Sequence, residues 1–397
     1  MRILLSNKFY YRRGGDCVSM LNLEQLLKEH GHEVAVFAMD YPENLETPWK
    51  KYFPSNMSKW MVFTRPFGSR EVKRKFSLLL DDFKPEVVHV NNIHTQLSPM
   101  IVEMAHQRGI QTVWTLHDYK LLCPRYDCLL DGKEVCERCF GGDKTPCKVN
   151  KCMKGSALAS WVGYKEAMAW NRQRLKACTD TFVCPSLFMA EKMAQGGFQK
   201  SKLKVLCNFI DVEQCKRADT PREDYYCYVG RLSHEKGVET LMEAASRLPY
   251  PLRIIGEGPL SEELRRKNEA LKGNIEFLGF KQWNEIKELV GKARFSVIPS
   301  EWYENNPFSV IEAECLGTPV LGARIGGIPE LIDEGKNGMT FESGNADDLT
   351  EKIKRMFDAK FEYKGIAVAA MRRFNAETYY SELMAIYNPQ SCQAKEL

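Results

Sequence analysis

The feature that most constrains the fold is a rhythm that runs twice along the chain. In the first half, the short apolar runs RILL (2–5), EVAVFAM (33–39), EVVHV (86–90), TVWTLH (112–117) and TFVCPS (181–186) alternate with segments of helical spacing, such as Val18, Leu21, Leu26 and Leu27. In the second half, YYCYVG (225–230), LRIIG (252–256), NIEFLG (274–279), RFSVIPS (294–300) and PVLGA (319–323) do the same, separated by stretches such as GVETLMEAASRL (237–248). Runs that are apolar on both faces and alternate with helices call for a parallel sheet covered on both sides. The expected class is therefore α/β, with two Rossmann-like, doubly wound domains. The first takes residues 1–207, with a cysteine-rich insert over 118–155, and the second takes residues 208–375. A last helical stretch, AETYYSELMAIY (376–387), follows a complete second domain and opens the tail 376–397.

A length of 397 residues suits two domains. The net charge of +4 hides an asymmetry, because the excess of Lys and Arg lies in residues 1–200 and the remainder is slightly acidic. A basic half fits an anionic membrane or an acidic substrate, and uneven surface charge without a partner is the plain alternative. The N-terminal MRILLSNKFYYRRGG has too short an apolar core for a signal peptide, and no run approaches the ~18 apolar residues of a membrane span. The expected location is cytoplasmic, including the inner face of the cytoplasmic membrane. In that compartment the 14 cysteines do not form a disulfide framework.

Ligands of doubly wound sheets collect at the carboxyl ends of the strands, and with two sheets the natural site lies between them. The residues at those ends carry the chemistry. Gly14 and Gly15 precede the first helix, where backbone can approach a ligand and N–H groups favour phosphate. His117 closes TVWTLH and can donate a hydrogen bond or move a proton. GRLSHEKG (230–237) sets Arg231 and Lys236 across a glycine-bounded turn, where two cations suit a diphosphate. Gly256 and Gly258 mark another glycine-rich strand end.

YENNPFSVIE (303–312) is the densest signal. Pro307 suits a first helical position and Asn305 or Asn306 the cap. Glu304 then lies just outside the helix and Glu312 inside it, roughly 7–8 Å further along the axis at ~1.5 Å per residue. A carboxylate accepts from two vicinal hydroxyls at once. Glu304 would take a sugar, the N–H groups of Phe308 and Ser309 a diphosphate, and Glu312 a ribose. Taken singly, each of these features also has a plain structural reading: a tight turn, a satisfied core histidine, charges on a loop, a cap.

Together, in this order and spacing, they resemble glycosyltransferase family 4, the retaining, nucleotide-sugar-dependent enzymes of GT-B fold. The resemblance rests on the Gly14-Gly15 turn, His117, GR…KG (230–237), GEGP (256–259), the Glu304-x7-Glu312 pair and LGTPVLGARIGGIPELI (316–332). It implies that Arg231 and Lys236 bind the donor diphosphate, Glu312 the ribose and Glu304 the transferred sugar, with His117 beside it. It implies that the final helix crosses back to the first domain. Ser309 stands where many members have glycine, and Asn208-Phe209 where an Asn-Gly is usual. The chain has no Asp-x-Asp, so the expected chemistry is independent of a metal, with protein cations stabilising the leaving diphosphate. The expected acceptor is a glycan or a polyprenyl-linked saccharide of a cell-surface polysaccharide such as capsule, O-antigen or exopolysaccharide, as in bacterial members with cysteine-rich inserts. A nucleotide-sugar epimerase of the same fold is the nearest rival, and a phosphorylase would need a pyridoxal lysine motif that is not found.

Two segments lie outside that scheme. Cys136, Cys139, Cys147 and Cys152 form C-x2-C-x7-C-x4-C, the pattern of a structural zinc site, with Cys123 and Cys128 left over or substituting. Reduced thiols are the alternative. A zinc-bearing, non-catalytic or nucleic-acid-binding protein is the rival of different class, but Asp127, Asp131, Glu134, Glu137 and Asp143 in the insert argue against nucleic acid. KWMVFTRPFGSREVKRKFSLLL (59–80) mixes Trp60, Met61, Phe63 and Phe67 with Arg65, Arg70, Lys73, Arg74 and Lys75, and reads as a peripheral membrane contact or as a helix with a solvated basic face.

Overall fold

The computed structural model describes residues 1–55, 64–216, 221–271 and 273–388. Its described residues divide into two compact units: those of Met1–Asp131, Cys136–Asn208 and 377–388, and those of Gly132–Val135 with Phe209–Ala376.

The first unit is built on β1 (Arg2–Ser6), β2 (Glu33–Phe37), β3 (Val87–Val90) and β4 (Gln111–Thr115). A short pair, β5 (Leu129–Leu130) and β6 (Glu134–Val135), sits in the insert, and β7 (Thr181–Cys184) and β8 (Leu203–Val205) follow. Its helices are α1 (Gly15–Glu29), α2 (Arg70–Phe83), α3 (Met100–Gln107), α4 (Thr145–Val149), α5 (Ala157–Ala169), α6 (Arg172–Cys178) and α7 (Leu187–Gln195). The six-stranded sheet is parallel throughout, in the order β2-β1-β3-β4-β7-β8. Ile3 pairs in register with Val34 on one side and Val87 on the other, and all three are buried, as a strand covered on both faces requires.

The second unit repeats the plan with β9 (Tyr226–Val229), β10 (Leu252–Ile255), β11 (Ile275–Gly279), β12 (Ser296–Ile298), β13 (Val320–Ala323) and β14 (Gly338–Phe341), in the order β11-β10-β9-β12-β13-β14. Its helices are α8 (Val238–Ala245), α9 (Ser261–Leu271), α10 (Trp283–Lys292), α11 (Phe308–Cys315), α12 (Ala346–Asp358) and α13 (Tyr363–Arg373). Two apolar clusters cover the sheet, one around Tyr226, Leu241, Val297 and Leu321 and one around Cys227, Val310, Ile311 and Ile328.

The last helix, α14 (Ala376–Tyr387), returns to the first unit, as the resemblance implied. His30 stacks on Tyr380 at 3.6 Å between ring centroids, His32 Nε2 lies 2.8 Å from the Tyr380 hydroxyl, and buried His89 Nδ1 lies 2.5 Å from that of Tyr387. In each sheet the strand order reverses once, between β1 and β3 and between β9 and β12. At such a point two neighbouring loops leave in opposite directions and open a crevice at the carboxyl edge.

Of the two readings of 59–80, its described part fits the helix with a solvated basic face. α2 is capped by the Ser69 hydroxyl and buries Val72, Phe76, Leu79 and Leu80, while Arg70, Lys73 and Arg74 face solvent. It is an ordinary amphipathic helix whose apolar stripe is already spent on the core. Trp60, Met61 and Phe63 lie outside the described residues.

Candidate active site

In the second unit the crevice between β9 and β12 gathers two motifs that are far apart in the chain. After β9 the backbone runs through Arg231 into a turn holding Lys236 and then α8. After β12 it runs through Ser300 and Glu304 into α11. Lys236 Nζ donates to Glu304 Oε1 at 2.6 Å, and the Ser300 hydroxyl donates to the same oxygen at 2.7 Å. The loops are also tied by backbone, Glu301 N–H donating to the Glu235 carbonyl at 2.9 Å. The Glu304 side chain is 9% exposed. Burial pushes its carboxyl up, but the Lys236 charge and its hydrogen bond outweigh this and hold the group below the usual carboxylate range. Glu304 is thus an anion at neutral pH.

Glu312 is the opposite case. It is partly buried on α11 and no donor meets its carboxylate among the described residues. Burial alone pushes it up to about 7. A carboxylate in such surroundings is stabilised by whatever hydroxyl donors reach it. Between the two glutamates lies the start of α11. The expected asparagine cap is corrected here: Pro307 itself is the N-cap, extended at ψ 125°, and makes no side-chain cap hydrogen bond. The proline ring fixes φ at the entry to the first turn. The N–H groups of Phe308 and Ser309 find no acceptor among the described residues, which leaves two donors directed outward. Ser309 leaves its N–H as available as glycine would. Arg231 is exposed nearby and makes no ion pair among the described residues.

Gly256 and Gly258 serve the packing of their loop. A Cβ on Gly256, at φ +129°, would lie 2.0 Å from the Gly230 carbonyl, and one on Gly258 would lie 2.3 Å from that of Leu232. They let the β10 loop pack on the loop that carries Arg231. One participant escaped the sequence reading. Gly326, at φ +61°, has room only for hydrogen where a Cβ would sit 2.2 Å from the Glu304 carbonyl, and Gly327 N–H donates to that carbonyl at 2.8 Å. The Gly-Gly of ARIGG was the available signal for this support.

In the first unit, His117 lies just past β4. Its Nε2 is 2.9 Å from Asn91 Oδ1, and Asn91 Nδ2 is directed at the Ser6 carbonyl at 3.5 Å. That second contact orients the amide, so the histidine donates from Nε2 and carries its lone pair on Nδ1. Burial lowers the His117 pKa, with Asp16 acting weakly in the other direction. Asp118 is pushed up by burial. The Gly14-Gly15 turn does open α1, but Asp16 occupies its first turn and accepts from Asn92 Nδ2 at 3.3 Å, which disfavours a phosphate there.

Among the described residues no three His, Cys, Asp or Glu are placed to hold a metal ion, and the described cysteines, Cys136, Cys139, Cys147 and Cys152 included, are free thiols. Lys144 lies among these thiols. This buried ammonium donates to the carbonyls of Leu122 and Cys139, at 2.5 and 2.8 Å, within electrostatic reach of Cys139, Cys123 and Cys128. The Cys128 thiol donates to Cys123 and draws it down to about 7 against the effect of burial.

Comparison with known proteins agrees with this architecture. Residues 213–372 match the family described as glycosyl transferases group 1, and residues 13–214 match Glycosyltransferase Family 4. An uncharacterized 42.6 kDa protein in the cps region of Klebsiella pneumoniae is 25% identical over 83% of this chain and 87% of its own length. The O-antigen biosynthesis glycosyltransferase WbnH of Escherichia coli is 32% identical over 53% of this chain and 61% of its own. Among solved structures, Anabaena HepE in complex with UDP and glucose superposes with a TM-score of 0.70 at 16% identity, over 98% of this chain and 100% of that one. The lipopolysaccharide outer core galactosyltransferase WaaB gives 0.68 at 17% identity, over 97% and 98%. No helix among the described residues is long and apolar enough to cross a membrane. With residues 13–214 matched to one family, and two parallel-sheet units like those of its structural neighbours, the chain belongs to glycosyltransferase family 4 and has the GT-B fold.

Proposed function

We propose that the chain transfers a sugar from a nucleotide-diphosphate-sugar to a glycan or polyprenyl-linked acceptor, with retention of configuration, in cell-surface polysaccharide synthesis. The observation that carries this is the unpartnered, partly buried carboxylate of Glu312 beside two outward N–H donors and the Lys236–Glu304 pair. Glu312 takes the ribose diol, the N–H groups of Phe308 and Ser309 and the exposed Arg231 take the diphosphate, and the Glu304 oxygens take sugar hydroxyls. The kinship with WbnH, and HepE's complex with UDP and glucose, support the same reading.

The bond from the anomeric carbon to the diphosphate oxygen breaks, and its electron pair leaves with the phosphate. Arg231, Lys236 and the start of α11 stabilise that charge where it develops. The acceptor oxygen bonds to the anomeric carbon from the same face, and its proton passes to the departing phosphate oxygen. His117, neutral and fixed by Asn91, presents Nδ1 as an acceptor for a substrate hydroxyl.

The test is a panel of nucleotide-sugars scored by thermal shift. One donor should stabilise the chain, by the linkage that any native-state ligand obeys. Because Glu312 titrates near 7 and must be ionised to accept from both ribose hydroxyls, donor affinity should rise about tenfold from pH 6 to 8, and Glu312→Gln should flatten that rise. No shift with any donor would overturn the proposal. Product anomers read by NMR test retention.

A further inference from the structure

α5 is built inside out. Its buried residues are Ser160, Gly163 and Glu166, whereas Leu158, Trp161 and Met168 on the opposite face are 58%, 48% and 44% exposed. The inversion is held by specific contacts. Glu166 pairs with Lys120 at 2.9 Å, both side chains being buried. The Ser160 hydroxyl accepts from Met153 N–H at 2.9 Å, and Gly163 gives the Met153 side chain room. Trp170, donating from its indole to the Pro66 carbonyl at 2.7 Å, pins the end of the helix. A helix that packs on water reverses this arrangement.

The exposed charges along this segment are all of one sign. Val149, at the end of α4, adds a fourth apolar side chain, 67% exposed. Lys148, Lys151, Lys154 and Lys165 are exposed about it, and from Lys144 to Ala169 the one carboxylate is the buried Glu166. Lys165 Nζ lies 5.5 Å from the Trp161 ring centre and Lys148 Nζ 5.1 Å from that of Tyr164, so the cations rim the apolar stripe.

We propose that the outward face of α5, with Val149 and the lysines around it, docks on an anionic lipid bilayer. Tryptophan and long aliphatic side chains settle at the headgroup boundary, while lysines reach the phosphates beside them. An uncharged or cationic surface would leave the lysines without partners, and an acidic face of a protein would leave the apolar stripe in water. The inference deepens the reading of a polyprenyl-linked acceptor and rests on it for its purpose. It moves the membrane contact from α2, whose apolar face is buried, to α5.

The experiment is flotation of the full chain with vesicles of phosphatidylcholine, alone or with phosphatidylglycerol added. Wild type should float with the anionic vesicles and be released by salt. Leu158→Ser/Trp161→Ser/Met168→Ser and, separately, Lys148→Glu/Lys151→Glu/Lys154→Glu should each bind at least tenfold more weakly. The altered side chains are exposed, so circular dichroism and the thermal shift with nucleotide-sugar should match wild type. That readout reports the donor site, so loss of the shift in all forms would count against the transferase reading and not against docking. Equal binding to both vesicle types, no binding by wild type, or full binding by the serine variant would overturn the proposal. So would a wild-type dimer that the serine variant converts to monomer, since the face would then belong to a second copy.

Discussion

At the scale of the residue, Lys236 and Glu304 decide most. They are 68 positions apart and meet only because β9 and β12 are neighbours, so the pairing was not legible in a linear reading that gave one residue to phosphate and the other to sugar. The chemistry of each was legible, because cations and carboxylates just past strand ends have few structural uses. Replacing Lys236 with Met leaves Glu304 buried without its cation, which should cost about 2–4 kcal/mol at pH 7. Lys236→Met/Glu304→Gln should regain most of that stability while transfer stays lost. The pH dependence has a definite sign. The Glu304 carboxyl is held below its unfolded value, so the pair's contribution is full above about 4.5 and is lost as pH falls through the lower folded value. Urea melts from pH 7 downward check this: the Lys236→Met deficit should be largest at pH 7 and shrink progressively as pH falls below about 4.5. Equal deficits would mean that lysine supports the loop by packing alone.

At the scale of the element, the sequence exposed whatever is buried on both faces. β1, β3, β4, β9 and β10 are continuous apolar runs and were found. β8 was not, because it is an edge strand of mostly exposed side chains, and β14, GMTF, opens on glycine and alternates too briefly. α5 was invisible for another reason: with polar residues inside, its pattern carries no stripe that points to the core. α14 shows how much one helix can rest on histidine. His89 is enclosed, with Nδ1 at the Tyr387 hydroxyl and Nε2 2.7 Å from the Thr115 hydroxyl, and burial, helped by His117, pushes it down to about 3. Its stabilising effect is therefore present above about 6.5, the unfolded value, and is lost as pH falls from there toward the folded one. Tyr387→Phe strands a buried ring nitrogen and should cost about 1–3 kcal/mol above pH 7. Amide exchange across β3 and α14 should locate the loss there, and a loss spread evenly over both units would count against the link.

At the scale of the whole molecule, the repeated rhythm disclosed two doubly wound units, but not which strands would adjoin at each reversal of order. That is a property of the sheet and has no local signature. It matters because one switch point carries the proposed donor site entirely within the second unit, whereas the chain's last helix belongs to the first. Ending the chain at Ala376 removes Tyr379, Leu383 and Tyr387, all buried, from the first unit's core. At roughly 1.5–3 kcal/mol per large buried side chain, that loss is about as large as the whole stability of a typical domain. The first unit of the shortened chain should be unfolded or nearly so. The second keeps its own two apolar clusters and every residue assigned to the donor. Limited proteolysis should then leave a resistant fragment close to Phe209–Ala376, and the nucleotide-sugar that stabilises the full chain should protect it, while transfer to acceptor is abolished. Protection lost together with α14 would mean that the donor is not held by Arg231, Glu304, Glu312 and the start of α11 alone.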